Sequence, residues 1–156
     1  MMRTTLVEEK GLLQSIATGT GVFKPHEIEA LGEVLDDYHA VSYKHGHRAI
    51  TFEQDGAVIG FAYFAPTPMT DRTWHLYWIF VDKNTHARGI GTQMLQYAER
   101  EILKAGGRLF LIETSSLPGY EPTRAFYRKH GYDQAAIILD FYADGDDQVI
   151  FRKRLA

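Results

Sequence analysis

The chain has 156 residues, 45% of them apolar and 24% charged, with a formal charge of −3 and no cysteine. That length holds one sizeable core and is short for two ordinary ones, so a single domain over residues 1–156 is expected. The acidic balance argues against a general nucleic-acid binder and for a small partner. The missing cysteines exclude disulfides, cysteine-ligated metal and a catalytic thiol, which fits a reducing cytoplasm.

No element is assigned before Pro25. From there Ile28, Leu31, Leu35 and Tyr38 recur at helical spacing among charged residues, which predicts an amphipathic helix ending near Tyr43. "RAITFEQDGAVIGFAYFA" follows as two apolar, β-branched and aromatic runs about Gln54-Asp55-Gly56, a hairpin signal. Pro66 and Pro68 stop its second strand, and Thr67 to Arg72 read as a loop.

"TWHLYWIFV", Thr73 to Val81, is the longest apolar run free of formal charge and falls far below the roughly 20 residues of a membrane span. Nothing near Met1 resembles a signal core, so no membrane partner is expected. The run reads as a strand buried on both faces. It leads into "HARGIGTQML" and a helix whose Met94, Leu95, Ala98 and Ile102 form one apolar face, closed by Gly106-Gly107. With the strand "RLFLIET" this makes a βαβ unit and predicts a parallel strand pair inside an otherwise hairpin-built sheet. "EPTRAFYRKHG" is a second helix, starting near Pro122 and stopping at Gly131. "AAIILDFYA" and "QVIFRKRL" close the chain as a hairpin about "DGDD".

Gly89 and Gly91 at the start of a helix allow close approach to unpaired N–H groups carrying a partial positive charge, and Arg88 adds a full one. An anion fits there; a plain strand-to-helix turn is the other reading. The dinucleotide fingerprint fails because Met94 stands where its third glycine belongs, and the P-loop's Gly-Lys-Ser/Thr is absent.

The order strand, Arg-Gly-x-Gly, helix, strand, "AFYRKHGY" resembles the GNAT superfamily of acetyl-CoA-dependent N-acetyltransferases, over residues from Ala49 to the C-terminus. The family's acyl-CoA motif, Gln/Arg-x-x-Gly-x-Gly/Ala, stands here as "HARGIG", with His86 where Gln or Arg is usual. Phe126-Tyr127 and Gly131-Tyr132 match its second element, while its common Asn is Tyr120 here. The resemblance implies an α/β fold, a single GNAT-type domain with a mostly antiparallel mixed sheet, a central splayed parallel pair and flanking helices. It also implies acetyl-CoA as acetyl donor. Its pyrophosphate would sit on the N–H groups of Arg88, Gly89, Ile90, Gly91 and Thr92, and its pantetheine arm along the backbone of Ile79 and Val81.

Transfer to a primary amine needs a base to free the lone pair and an acid to meet the departing thiolate. The resemblance implies Tyr127 as the acid. Glu113, at the carboxyl end of a parallel strand where ligands of open α/β sheets lie, is the candidate base, with His75 and Tyr77 on the preceding strand in reserve. It is similar to the strand-end glutamate of GNAT enzymes that acetylate ribosomal-protein N-termini. His45 and His47 lack partners for a metal site, so none is expected. Asp140, Asp144, Asp146 and Asp147 are read either as an acidic rim that steers a cationic amine or as a solvated turn. Arg124, Arg128 and Lys129 are candidates for CoA phosphates. Acceptor choice would lie in Ile28 to Tyr43 and Thr67 to Arg72, and a homodimer is compatible with the closing hairpin. The alternatives are a CoA sensor or protein-interaction module without turnover, and a nucleotide-binding regulatory domain.

Overall fold

The computed structural model describes residues 1–85 and 88–156. In chain order it runs β1 (Met2–Thr4), a 3-10 turn (Val7–Glu9), α1 (Lys10–Gly19), α2 (Pro25–Ala40), a 3-10 turn (Ser42–His45), β2 (Arg48–Gln54), β3 (Ala57–Pro66) and β4 (Thr73–Val81). Then come α3 (Ile90–Lys104), β5 (Leu109–Ser115), a 3-10 turn (Pro118–Tyr120), α4 (Glu121–Lys129), β6 (Asp133–Ala143) and β7 (Asp146–Arg154). Strand order is β1-β2-β3-β4-β5-β7-β6. β4 and β5 are parallel, as the βαβ reading expects. The contacts divide the chain into two compact units, Met1–Ala65 with Trp78–Glu101 and Pro66–Tyr77 with Ile102–Ala156.

In the first unit β2 and β3 form the expected hairpin. Asp55 at φ 53° and Gly56 at φ 80° supply the two left-handed positions that a tight two-residue turn requires. α1 and α2 pack Leu13, Ile16, Leu31 and Leu35 on Ala49, Phe61, Tyr63 and Phe80. Ile90 and Met94 of α3 pack on Phe52, Ile59 and Ala62 in a separate cluster. The amphipathic helix of the second segment ends at Ala40, and the expected tail to Tyr43 is instead part of a 3-10 turn closed by Gly46 at φ 85°. β1 and α1 had no counterpart in the sequence reading. α1 is ten residues long with glycines near both ends, and its apolar face is only Leu13, Ile16 and Ala17. So short a segment takes its stability from packing and carries little periodic signal.

In the second unit β5 pairs antiparallel with β7 and β7 with β6, giving the expected closing hairpin. The parallel ladder joins Thr73–Leu76 to Leu109–Ile112. Burial of β4 on both faces does not hold throughout, because Tyr77 is 52% exposed. α4 buries Arg124 and Tyr127, three residues apart on one face. The Tyr127 ring sits among those of Phe126, Tyr132 and Phe151 at 5.5, 6.0 and 5.8 Å between centroids.

Candidate active site

The glycine motif lies in the first unit. His86 falls outside the described residues. α3 starts at Ile90, and the amide of Gln93 donates to the carbonyl of Gly89 at 2.9 Å, so Gly89 stands at the helix entrance. The first-turn amides of such a helix have no carbonyl within it to bond. Gly89 has φ +77°, a conformation L side chains rarely adopt, and a Cβ there would meet nothing within 4 Å. Glycine is therefore required by the turn itself, and the space in front of its backbone is open. Arg88 is exposed, whereas the Ile90 side chain is 3% exposed and packed in the core, leaving only its backbone for a ligand. Ile79 and Val81 are partly buried against the Phe52 and Met94 cluster.

The titratable candidates lie in the second unit. Glu113 and Tyr77 are the first residues beyond the last rung of the parallel ladder, Leu76 opposite Ile112. His75 Nε2 lies 3.3 Å from Glu113 Oε1. His75 Nδ1 is 2.6 Å from the Thr67 hydroxyl, and Gln148 Nε2 donates to Glu113 Oε2 at 3.0 Å. The rings of His75 and Tyr77 stack at 5.7 Å. Partial burial, and secondarily the charge of Glu113, push the Tyr77 phenol up from its ordinary value.

These contacts constrain the proton positions. An ionised carboxylate only accepts, so Glu113 favours a proton on His75 Nε2. Nδ1 of a neutral ring is then the acceptor for the Thr67 hydroxyl. The Glu113 side chain is 36% exposed against 17% for His75, so of this pair the carboxylate is the more open to solvent.

Thr67 and Gln148 were not singled out in the sequence. Gln148 stands opposite Ser115 in the β5–β7 register, and Thr67 sits in the loop after β3 with its amide on the Thr73 carbonyl. Both positions depend on strand register, which a single sequence does not display.

Tyr127 is 4% exposed, and burial pushes its phenol far above the usual value. Such a group stays neutral at physiological pH and can only donate or accept hydrogen bonds.

Other candidates have structural partners. Arg124 donates to the carbonyls of Ser115 and Leu117 at 2.7 and 3.0 Å and to Glu121 at 2.9 Å, so it ties β5 to α4. Arg128 pairs with Glu121 at 3.3 Å. Of the four aspartates near the hairpin tip, Asp146 is buried and accepts from the Ser115 hydroxyl at 2.5 Å. Asp140 and Asp147 accept from the amides of Gly145 and Asp140 at 2.7 and 2.8 Å. His47 is 2.6 Å from the Tyr63 hydroxyl, and burial, then His45, lower its basicity. Among the described residues no group of three or more His, Cys, Asp or Glu could hold a metal ion, and no helix is long and apolar enough to cross a membrane.

The model of the acetyltransferase (GNAT) family matches residues 13–132. No curated protein matches the sequence. Among solved structures, a GNAT-family protein of Desulfovibrio desulfuricans is 32% identical, with a TM-score of 0.94 over 100% of this chain and 99% of the other. A Salmonella typhimurium protein solved with its cofactor acetyl-CoA is 15% identical, with a TM-score of 0.79 over 100% and 94% of the two chains. The ribosomal-protein-alanine N-acetyltransferase of Brucella melitensis is 14% identical, with a TM-score of 0.74 over 99% of each chain. The last two likenesses are of fold.

Proposed function

This chain belongs to the GNAT acetyltransferase family, and from that premise we propose that it transfers an acetyl group from acetyl-CoA to a primary amine by direct attack in a ternary complex. The observation that carries the amine chemistry is Glu113, just past the last rung of a parallel ladder, with His75 and Gln148 on its two oxygens.

Acetyl-CoA is a substrate here. The amides from Arg88 to Thr92, which lead into and open α3, would meet its pyrophosphate, aided by the helix dipole and the charge of Arg88. The open space before Gly89 fits that assignment. The backbone of Ile79 and Val81 would hydrogen-bond the pantetheine arm.

An alkylammonium acceptor gives its proton to Glu113, and the freed lone pair attacks the thioester carbonyl to form a tetrahedral intermediate. The C–S bond then breaks, the electron pair leaves on sulfur, the nitrogen gives its second proton to solvent to leave the neutral amide, and the Tyr127 O–H hydrogen-bonds the departing thiolate. A phenol raised by burial gives up its proton to a thiol of ordinary acidity only uphill. Tyr127 therefore acts by hydrogen-bond stabilisation of the sulfur as it departs, with solvent completing the protonation. No acyl-enzyme is invoked, since the chain has no cysteine.

The test is thiol release from acetyl-CoA in the presence of a panel of primary amines. Glu113→Gln is expected to lower kcat by about 10²-fold, the usual worth of a proton-transfer group, and Tyr127→Phe by about 10²-fold, the worth of one hydrogen-bond donor aimed at the charge that develops in the transition state. In both variants KM for acetyl-CoA should be little changed. Undiminished turnover in either variant would remove that residue from the mechanism.

A further inference from the structure

The sheet face that carries Glu113 can be followed from strand to strand. Residues paired across a ladder share a face, and so do residues two apart along a strand. On β4 and β5 that face holds His75, Tyr77, Leu111 and Glu113, in agreement with the contact between His75 and Glu113. On β7 it holds Gln148, Ile150 and Arg152, in agreement with the bond from Gln148 to Glu113. The opposite face belongs to α4: the Tyr127 ring lies by Phe151, and Lys153 donates to the carbonyl of His130.

The two faces are covered very differently. Toward α4, Phe110, Ile112, Val149 and Phe151 are at most 4% exposed. On the face of Glu113 the apolar residues Leu111 and Ile150 are only half-buried, and Tyr77, Glu113 and Arg152 are exposed. A half-open apolar strip beside the proposed base is a floor on which an acceptor can lie.

Charge says which acceptor. Arg152 stands opposite Leu111 in the β5–β7 register, and Glu113 stands opposite Ile150. Glu113 and Arg152 are thus diagonal neighbours, at a spacing of about 7–8 Å, with the apolar pair completing the square between them. The exposed Asp133 faces Arg152 from β6, but an exposed cross-strand pair is weak and uses only part of a guanidinium with five N–H donors. The face therefore offers a carboxylate, a short apolar strip and a guanidinium in sequence. Its complement is an ammonium, a short apolar stem and a carboxylate, which the arginine fork can grip through both oxygens. A plain alkylamine leaves Arg152 unused, and a diamine brings a like charge to it. We infer that Arg152 is a subsite for an acceptor carboxylate, and that the acceptor is a zwitterionic amine whose carboxylate lies a few carbons from its nitrogen. This rests on the reading of Glu113 as the base.

The test compares δ-aminovalerate with pentylamine, its counterpart without the carboxylate, as acceptors at saturating acetyl-CoA. The wild type is expected to favour δ-aminovalerate about tenfold or more in kcat/KM, with the difference lying in KM. In Arg152→Ala that ratio should fall close to one, in a protein whose melting temperature is nearly unchanged because Arg152 is exposed. Arg152→Glu should invert the choice, making cadaverine, with an ammonium in place of the carboxylate, a better acceptor than δ-aminovalerate. Glu113→Gln keeps the two readings apart: undiminished turnover there removes the base, while a preference lost with Arg152 still upholds the subsite. Where neither amine turns over, saturation-transfer NMR reads binding directly; δ-aminovalerate bound in an Arg152-dependent way upholds the subsite, and its failure to bind overturns it. A wild type that treats the two amines alike, or a preference that survives Arg152→Ala, also overturns the inference.

Discussion

At the scale of single residues, the account depends on how neighbours constrain a few titratable groups. Glu113 was recognisable because it ends the apolar run "LFLIE", and Tyr127 because it stands in "AFYRKHGY". What holds Glu113 was not recognisable, since Thr67 and Gln148 are ordinary polar residues brought beside His75 and Glu113 by tertiary register. The proposed proton chemistry makes Thr67 a positioning residue, acting through His75. Thr67→Val removes one hydroxyl at nearly constant volume, and a hydrogen bond of about 1 kcal/mol corresponds to a five- to tenfold change. Thr67→Val is therefore expected to lower kcat about fivefold with KM for acetyl-CoA unchanged, and Thr67→Ser to restore it. Steady-state kinetics on the three proteins checks this; equal loss in Thr67→Val and Thr67→Ser would make the contact one of packing. The aspartate cluster shows the opposite lesson. Four acids near one turn suggest an open rim, but Asp146 is buried on Ser115 and Asp140 and Asp147 hold the hairpin together.

At the scale of elements, periodicity and turn chemistry were informative wherever a segment buries its own stripe against neighbours. The apolar face of α3 packs as read, with Met94, Leu95, Ala98 and Ile102 at most 2% exposed. The β2–β3 turn and the β4–α3–β5 unit follow their local signals, down to the parallel pairing of Thr73–Leu76 with Leu109–Ile112. α1 escaped notice because ten residues with three buried apolar side chains carry too little pattern to stand out. Two glycine pairs that look alike in sequence do different work. Gly89 is needed for its positive φ, whereas Gly107 is needed for space: a Cβ there would lie 2.1 Å from Ile102 Cγ2 and 2.9 Å from the Ile102 carbonyl oxygen. Gly107→Ala is expected to destabilise the fold by about 2 kcal/mol through overpacking. Gly106→Ala, which meets open space at φ +84°, should cost about 1 kcal/mol from backbone strain alone. Urea unfolding of the two variants distinguishes the causes, and the reverse order of stabilities would contradict the packing argument.

At the scale of the whole molecule, pH reports on groups buried in different parts of the chain. Arg3 grips Glu9 through both oxygens at 2.9 and 2.8 Å, and this pairing holds the Glu9 carboxyl below its ordinary value of 4.5. A depressed carboxylate contributes stability above its unfolded value that is lost as pH falls through the folded one. His47, lowered from 6.5 by burial, likewise withdraws stability as the unfolded chain takes up a proton. Tyr127 acts on the other side: with its phenol raised above 10.0, the unfolded chain ionises first as pH climbs past that value. Thermal stability is expected to be flat between about pH 7 and 9, to decline below pH 6.5, to steepen below 4.5 and to fall again above 10. Tyr127→Phe should flatten the alkaline limb and Glu9→Gln the steep acid one, as melting curves across pH would register; unchanged limbs would detach those groups from stability. Fold and family were legible in the order of elements and in the spacing of "HARGIG" and "AFYRKHGY", while the acceptor was not, because one sequence carries no code for the segments expected to choose it, Ile28 to Tyr43 and Thr67 to Arg72. The central claim, that the amides entering α3 cradle acetyl-CoA, is most directly tested by calorimetric titration of the wild type and of Gly89→Glu with acetyl-CoA, ATP and NAD. The account predicts micromolar binding of acetyl-CoA in preference to ATP and NAD, abolished by the substitution in a protein that still melts cooperatively. No binding to the wild type, or equal binding to both proteins, would contradict it.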